Sequence, residues 1–133
     1  MGNNLVKWAI RLGEPYSLTP LARHVLAVMA NSAADYGAKD KDGNELPPAL
    51  CKRSRAALAK EIYGDSSKAR NLNRPIKELK GKGLIMPIGG RAHSGYARDF
   101  RLCIAEAITV QSILLQQTYP EDNAEIGRYL RRA

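Results

Sequence analysis

The chain has 133 residues, of which 44% are apolar and 26% charged, and its formal net charge is +8. This length and composition are typical of one globular domain, so we expect a single domain over residues 1–133 rather than two domains or a disordered chain. The longest unbroken apolar run, Val25 to Ala30, is much shorter than the roughly 20 residues that cross a bilayer. The first residues lack the pattern of a secretory signal, so we expect a cytoplasmic protein without a membrane partner.

The positive charge is concentrated in one block of the chain. Residues 52–101 contain thirteen Lys or Arg and four acidic residues, a net charge of +9, whereas the other 83 residues have a net charge of −1. A basic segment flanked by nearly neutral sequence is typical of a surface that faces a polyanion. A charge bias that served only solubility would have no reason to cluster.

Two helices are predicted before this block. Residues 5–12 place four apolar side chains on one helical face, which indicates a short amphipathic helix. A second helix should begin with Thr19 as N-cap and Pro20 in the first helical position. Its apolar side chains keep helical spacing, so we expect it to run to about Tyr36, with Gly37 as its stop.

The basic block itself is predicted to open with a loop and a helix. Residues 38–53 are polar and rich in turn-forming residues, which favours a loop. Ser54 is a typical N-cap, and the apolar positions that follow predict a helix from about Arg55 to Tyr63.

A further helix is predicted from Ser66 or Ser67 to Lys80, since its apolar residues are spaced three and four apart. Pro75 lies inside this segment, where a proline deletes one backbone hydrogen bond and clashes with the preceding turn. We therefore expect either a kink near Asn71 or a separate short segment before the main helix.

A β-hairpin should follow. Residues 84–88 and 96–103 have the composition of strands, and the glycine-containing loop 89–95 between them is basic. Pro87 cannot donate a hydrogen bond to a neighbouring strand, which predicts that the first strand is an edge.

Two helices are predicted at the C-terminal end, over residues 104–118 and 121–130. The apolar arc of the first is wider than one packing contact needs, and Ile113 lies beyond it. We expect one side to rest on Trp8 and the first long helix, and the other to meet a second subunit, which predicts a homodimer through the C-terminal helices. The alternative is that residues 121–130 fold back over the excess apolar surface.

The order of helix, loop, helix, glycine-containing turn, helix and basic hairpin resembles the winged helix-turn-helix family. Residues 58–62 with Gly64 and Ser66 resemble the first helix and turn of its motif, and Leu72, Ile76, Leu79 and residues 83–85 resemble the end of its recognition helix and the entry to its wing.

Residues 18–31 are similar to the first helix of the DNA-binding domains of phage and plasmid replication proteins and related regulators. The resemblance covers about residues 18–103. It implies a mainly α fold with a small β-hairpin wing, extended by an N-terminal helix and by the helices of residues 104–133.

The same resemblance implies that the basic helix enters the major groove of DNA, where Arg can pair with guanine and Asn with adenine. Its outward face would carry six polar side chains: Lys68, Arg70, Asn71, Asn73, Arg74 and Lys77. Ser66 and Ser67, near its N-terminus, are suited to a phosphate. Arg91, His93 and Arg98 of the wing would enter the minor groove or follow the backbone.

No combination of residues predicts catalysis, a cofactor or a metal site. His24 falls in a mostly apolar helix, and residues 81–83 lack the flanking residues of a nucleotide-binding loop. Cys51 and Cys103 have no metal-ligand spacing, so we expect reduced thiols.

The predicted function is therefore sequence-specific binding of double-stranded DNA by a transcriptional regulator of a phage, plasmid or other mobile element. One alternative is an origin-binding replication or partition accessory factor, which would use the same surface on tandem repeats. Others are a non-specific nucleic-acid binder, or an adaptor whose basic face meets an acidic protein. Non-specific binding through base stacking is disfavoured, because Phe100 is the only Phe and Trp8 is predicted to be buried.

Overall fold

The computed structural model describes residues 3–33, 49–88 and 99–132, which form a mainly helical fold with one small antiparallel sheet. The first element, α1 (Asn3–Leu12), confirms the predicted N-terminal helix. Trp8 and the other apolar side chains of its inward face are buried, as expected. Within the described ranges, no helix combines the length and the apolar character needed to span a bilayer.

The second helix, α2 (Pro20–Ser32), begins at the predicted residue. Thr19 caps it by accepting a hydrogen bond from a backbone N–H of the first turn, and the proline occupies a position where no N–H is needed. The predicted end near Tyr36 is wrong, because Ala33 adopts an extended backbone that stops the helix earlier. Gly37 lies outside the described residues.

The third helix, α3 (Arg55–Tyr63), has the predicted bounds. The hydroxyl of Ser54 accepts a backbone N–H of its first turn at 3.1 Å. Gly64 ends it with a φ of 74°, a left-handed conformation that favours glycine. The prediction of a loop before this helix is wrong at two residues, because Leu50–Cys51 form a short strand, β1.

The helix predicted around Pro75 is formed by two segments. A 3-10 segment (Ser66–Leu72) with non-helical backbone at Lys68 is followed directly by α4 (Asn73–Gly81). Pro75 is the third residue of α4, in the first turn, where N–H groups have no partner inside the helix. Of the two arrangements that the proline predicts, the separate first segment is therefore the one formed.

The hairpin is confirmed by β2 (Ile85–Ile88) and β3 (Asp99–Leu102), which pair antiparallel. Because β1 pairs with the other side of β3, the strand order is β1-β3-β2 and Pro87 lies on an edge, as predicted. Residues 89–98, which include the predicted loop 89–95 and the predicted start of the second strand, lie outside the described part of the chain.

The first predicted C-terminal helix is two helices, α5 (Ile104–Val110) and α6 (Ser112–Thr118), because the backbone leaves helical geometry at Gln111. One turn of 3-10 helix (Pro120–Asp122) then leads into α7 (Asn123–Arg132). This last helix packs back against α5 and α6. The alternative in which the C-terminal segment covers the excess apolar surface is met only in part, because α7 folds back but Val110, Ile113 and Leu114 remain exposed.

Polar and aromatic side chains join α7 to α1. Glu125 accepts hydrogen bonds from the Trp8 indole N–H at 3.0 Å and from Lys7 Nζ at 2.6 Å. The guanidinium carbon of Arg11 lies 3.9 Å from the centre of the Tyr119 ring. The Glu125 contacts place α7 beside α1, and α1 also packs on α5, as predicted for Trp8. The predicted packing of α5 on α2 is not among the main contacts between described elements.

The helix α2 connects two groups of elements. On one side it packs against α1, which belongs to a group with α5, α6 and α7. On the other side it packs against α3, α4 and β1, which form the second group with the 3-10 segment and the other strands. The buried side chains of both groups form one connected hydrophobic cluster, with Trp8 and Phe100 among the largest members.

Candidate nucleic-acid interface

The 3-10 segment and α4 turn an apolar side inward and a polar side outward. Leu72, Pro75, Ile76 and Leu79 are buried, and their elements pack against α3 and α2. The six polar side chains predicted on the opposite side are all exposed, and we call them the cationic face: Lys68, Arg70, Asn71, Asn73, Arg74 and Lys77.

The cationic face combines charged and amide side chains. Its members are two lysines, two arginines and two asparagines, so the face offers hydrogen-bond donors and acceptors as well as charge.

The four cations of the cationic face form no ion pair within the described chain, although the charge of Lys68 interacts with the carboxylate of Asp65. Within residues 3–33, 49–88 and 99–132, none of the four forms a salt bridge or a side-chain hydrogen bond. Some cations elsewhere are paired, since Lys7, Arg23, Arg53 and Arg101 each lie within 4 Å of a carboxylate oxygen. Positive charge on this face is therefore available to an external anion.

The two serines at the start of the 3-10 segment are exposed, but the structure gives one of them an internal role. Asp65 Oδ1 accepts the backbone N–H of Ser67 at 2.9 Å and its hydroxyl at 2.7 Å. These hydrogen bonds lower the pKa of Asp65, so the carboxylate is ionised at neutral pH. A negative group thus occupies the position where the sequence suggested a phosphate beside Ser66 and Ser67.

Near the C-terminal end of α4, the carboxylate of Glu78 holds this helix against the start of α2. Glu78 accepts the backbone N–H of Thr19 at 2.9 Å and the Thr19 hydroxyl at 2.8 Å. The Thr19 oxygen is also the cap of α2, so both side chains serve the same helix terminus. Sequence reasoning missed this contact because the two residues are 59 positions apart. The only signal was that Glu78 is the single acidic residue of the helix predicted over residues 66–80.

Two further exposed cations belong to neighbouring elements. Lys60 lies on α3, which packs along the 3-10 segment, and Lys52 lies between β1 and α3. Both were counted in the basic block but were not predicted as site residues. Their exposure was not evident from the sequence, because it depends on which side of α3 the 3-10 segment covers.

The predicted wing residues Arg91, His93 and Arg98 lie outside the described residues. The strands that carry their loop are described, and β2 starts shortly after α4, with which it is in contact. Gly83, with a φ of 74°, makes the turn between them.

Chemically reactive groups are few in the described part of the chain. Cys51 and Cys103 are free and buried, and burial raises the pKa of both thiols. Among the residues the structure describes, no group of three or more His, Cys, Asp or Glu side chains could hold a metal ion.

Comparison with protein-family models, with curated proteins and with solved structures finds no match to this chain.

Proposed function

We propose that the protein binds double-stranded DNA with sequence preference through the cationic face. The observation that carries the proposal is a set of four exposed cations that form no salt bridge or side-chain hydrogen bond with the described residues, next to the amides of Asn71 and Asn73. A helix fits the major groove of B-DNA, where Arg can bridge guanine O6 and N7 and Asn can pair with adenine N6 and N7. Phosphate attraction alone would need no amides between the charges.

The arrangement of the elements supports a winged helix-turn-helix assignment. In this assignment α2, α3 and the 3-10 segment with α4 are the three helices, β1 joins the first two, and β2 and β3 form the wing. β1 pairs with β3 and so completes a three-stranded sheet. The first strand of the hairpin, β2, starts close to the end of α4 and is in contact with it. The role that we propose for this domain is a regulator of transcription in a phage, plasmid or other mobile element.

Selection of bound duplexes from a random pool tests this function. We expect the full chain to enrich a short motif containing guanine and adenine, and Arg70→Ala or Arg74→Ala to enrich a more degenerate one. Arg128→Ala is the matched control, because Arg128 is an exposed cation on α7. Retention of duplexes without enrichment would contradict sequence preference, and no retention at low salt would contradict DNA binding.

The form of the enriched motif also tests the role. A palindrome is expected for a regulator that binds as a symmetric pair. Iterated direct repeats would instead favour a replication or partition factor, and would contradict the role proposed here.

A further inference from the structure

The junction of α5 and α6 exposes apolar side chains that no described element covers. Val110 is 73% exposed, Ile113 72% and Leu114 44%. The break at Gln111 turns them outward, while Ile108 of α5 and Leu115 of α6 point into the core. We call Val110, Ile113 and Leu114 the α5–α6 patch.

The sequence around the α5–α6 patch has no charge. Residues 107–120 contain no Asp, Glu, Lys or Arg, although 26% of the chain is charged and its net charge is +8. Two copies of a cationic protein repel one another, and like charges brought together at an interface are costly. An uncharged apolar patch is where two such copies can meet at the lowest electrostatic cost.

The α5–α6 patch and the cationic face belong to different groups of elements. α5 packs on α1 and α7, and α6 packs on α7, whereas the 3-10 segment and α4 pack with α3 and α2. A second molecule docked on the patch would therefore contact elements other than those that carry the cationic face. This separation argues against a nucleic acid as the occupant of the patch, since its phosphates would find no cation there.

From these observations we propose that the α5–α6 patch binds a second copy of this chain in a two-fold symmetric dimer. In a two-fold interface each patch contacts its own equivalent, so a neutral and apolar surface is self-complementary. Three side chains are a small part of the roughly 800 Å² per partner that specific interfaces bury. The dimer should accordingly be weak, with a dissociation constant on the order of 10–100 µM.

The dimer gains a role only if the proposed function holds. Two copies attached to neighbouring half-sites experience an effective concentration in the millimolar range, on the order of 1 mM for close attachment. A dimer that is weak in free solution would then form on DNA, and binding to paired half-sites would be cooperative.

Sedimentation equilibrium of the full chain without DNA tests the interface directly. Between about 5 and 500 µM, which brackets the affinity expected for so small a contact, the mean mass of the wild type should rise from 14.6 kDa towards twice that value. Ile113→Asp places two carboxylates together across the two-fold axis and should keep the monomer mass throughout. Ile10→Asp is the matched control, because Ile10 is a 58% exposed isoleucine on α1, and it should associate like the wild type.

Three results would overturn the dimer: a wild type that remains monomeric, an Ile113→Asp variant that associates like the wild type, or loss of association in both variants. Thermal unfolding and the milder Ile113→Ser variant verify that any loss of association does not come from unfolding. Binding to a duplex with one half-site is measured separately, and Ile113→Asp should leave it unchanged. Failure of the dimer and failure of DNA binding are thereby distinguished.

Discussion

At the scale of single residues, the cationic face combines two kinds of cation. Arg70 and Arg74 have planar guanidinium groups that can form two parallel hydrogen bonds with a base edge, whereas Lys68 and Lys77 carry compact charges on flexible stems. Replacing an arginine should therefore affect sequence preference more than replacing a lysine.

The first prediction concerns this difference. Arg70→Ala or Arg74→Ala should reduce the discrimination between the selected duplex and a scrambled one by about 1–3 kcal/mol, because one bidentate base contact is lost. Lys77→Ala should weaken binding to both duplexes to a similar extent. Competition binding measured by fluorescence anisotropy gives both numbers, with Arg128→Ala as the control. Equal discrimination in all four variants would mean that another element contacts the bases.

The second prediction concerns Glu78 and pH. Its hydrogen bonds with Thr19 lower the pKa of the Glu78 carboxyl below the ordinary value of 4.5. A group whose pKa is lower in the folded state stabilises the fold at a pH above the unfolded value, and this contribution is lost as the pH falls through the folded value. Glu78→Gln should therefore lower stability at neutral pH by less than about 1 kcal/mol, because solvent screens this exposed contact.

Thermal unfolding of both proteins between neutral pH and pH 3 measures this effect. The difference in Tm between wild type and Glu78→Gln should shrink as the pH falls below 4.5. Glu121→Gln is the control, because Glu121 is exposed and has no hydrogen bond within the described chain. A difference that is the same at every pH would exclude the carboxylate as its cause.

At the scale of elements, the carboxylate of Glu125 makes polar contacts between α7 and α1, next to the edge-to-face contact of Tyr129 with Trp8. Glu125 accepts a hydrogen bond from Trp8 and forms an ion pair with Lys7, and its side chain is only 12% exposed. Its removal leaves the buried indole N–H without a partner, which typically costs about 1–3 kcal/mol.

The third prediction is therefore that Glu125→Ala lowers the free energy of unfolding by an amount in this range. Trp8 is the only tryptophan, so its fluorescence during urea denaturation reports on the contact between α1 and α7. Glu121→Ala, outside this contact, should change the midpoint little. If both variants shift the midpoint equally, Glu125 does not attach α7 in the way described.

The elements also separate what could be predicted from sequence from what could not. The bounds of α3 were predictable because Ser54 and Gly64 are local signals for the two ends of a helix. The end of α2 and the break at Gln111 were not, since each is a backbone change without a glycine or proline. β1 was missed because its two residues are stabilised by β3, about fifty positions later.

The cationic face was predictable for a related reason. Buried apolar residues with helical spacing determine which polar residues face outward, even though the helix type changes at Leu72. The hydrogen bonds of Asp65 depend instead on the exact geometry of a local turn. Those of Glu78 depend on a contact with the distant Thr19, about which local sequence patterns carry no information.

At the scale of the whole molecule, the distribution of charge predicts a strong effect of salt. Lys52 and Lys60 add to the four cations of the cationic face, so roughly six phosphates could be neutralised. The fourth prediction is that affinity for a duplex falls about a thousandfold between roughly 50 and 200 mM salt, because counterions are released on binding.

Anisotropy titrations at several salt concentrations give the slope of log affinity against log salt. The double variant Lys52→Ala/Lys60→Ala should make this slope shallower by about two, since each lost phosphate contact removes about one unit. Arg128→Ala should leave it unchanged. A slope that is the same in the double variant would place both lysines away from the DNA.

The carboxylate of Asp65 has a consequence for how a duplex can lie on the protein. It stands at the N-terminus of the 3-10 segment, ionised and held by Ser67. A sugar–phosphate strand passing over that terminus would be repelled, so an end-on approach of the segment into the groove is disfavoured. In the proposed complex the double helix is therefore expected to lie lengthwise beside the segment, with its strands following the side from Lys68 to Lys77, which favours a narrow range of docking angles.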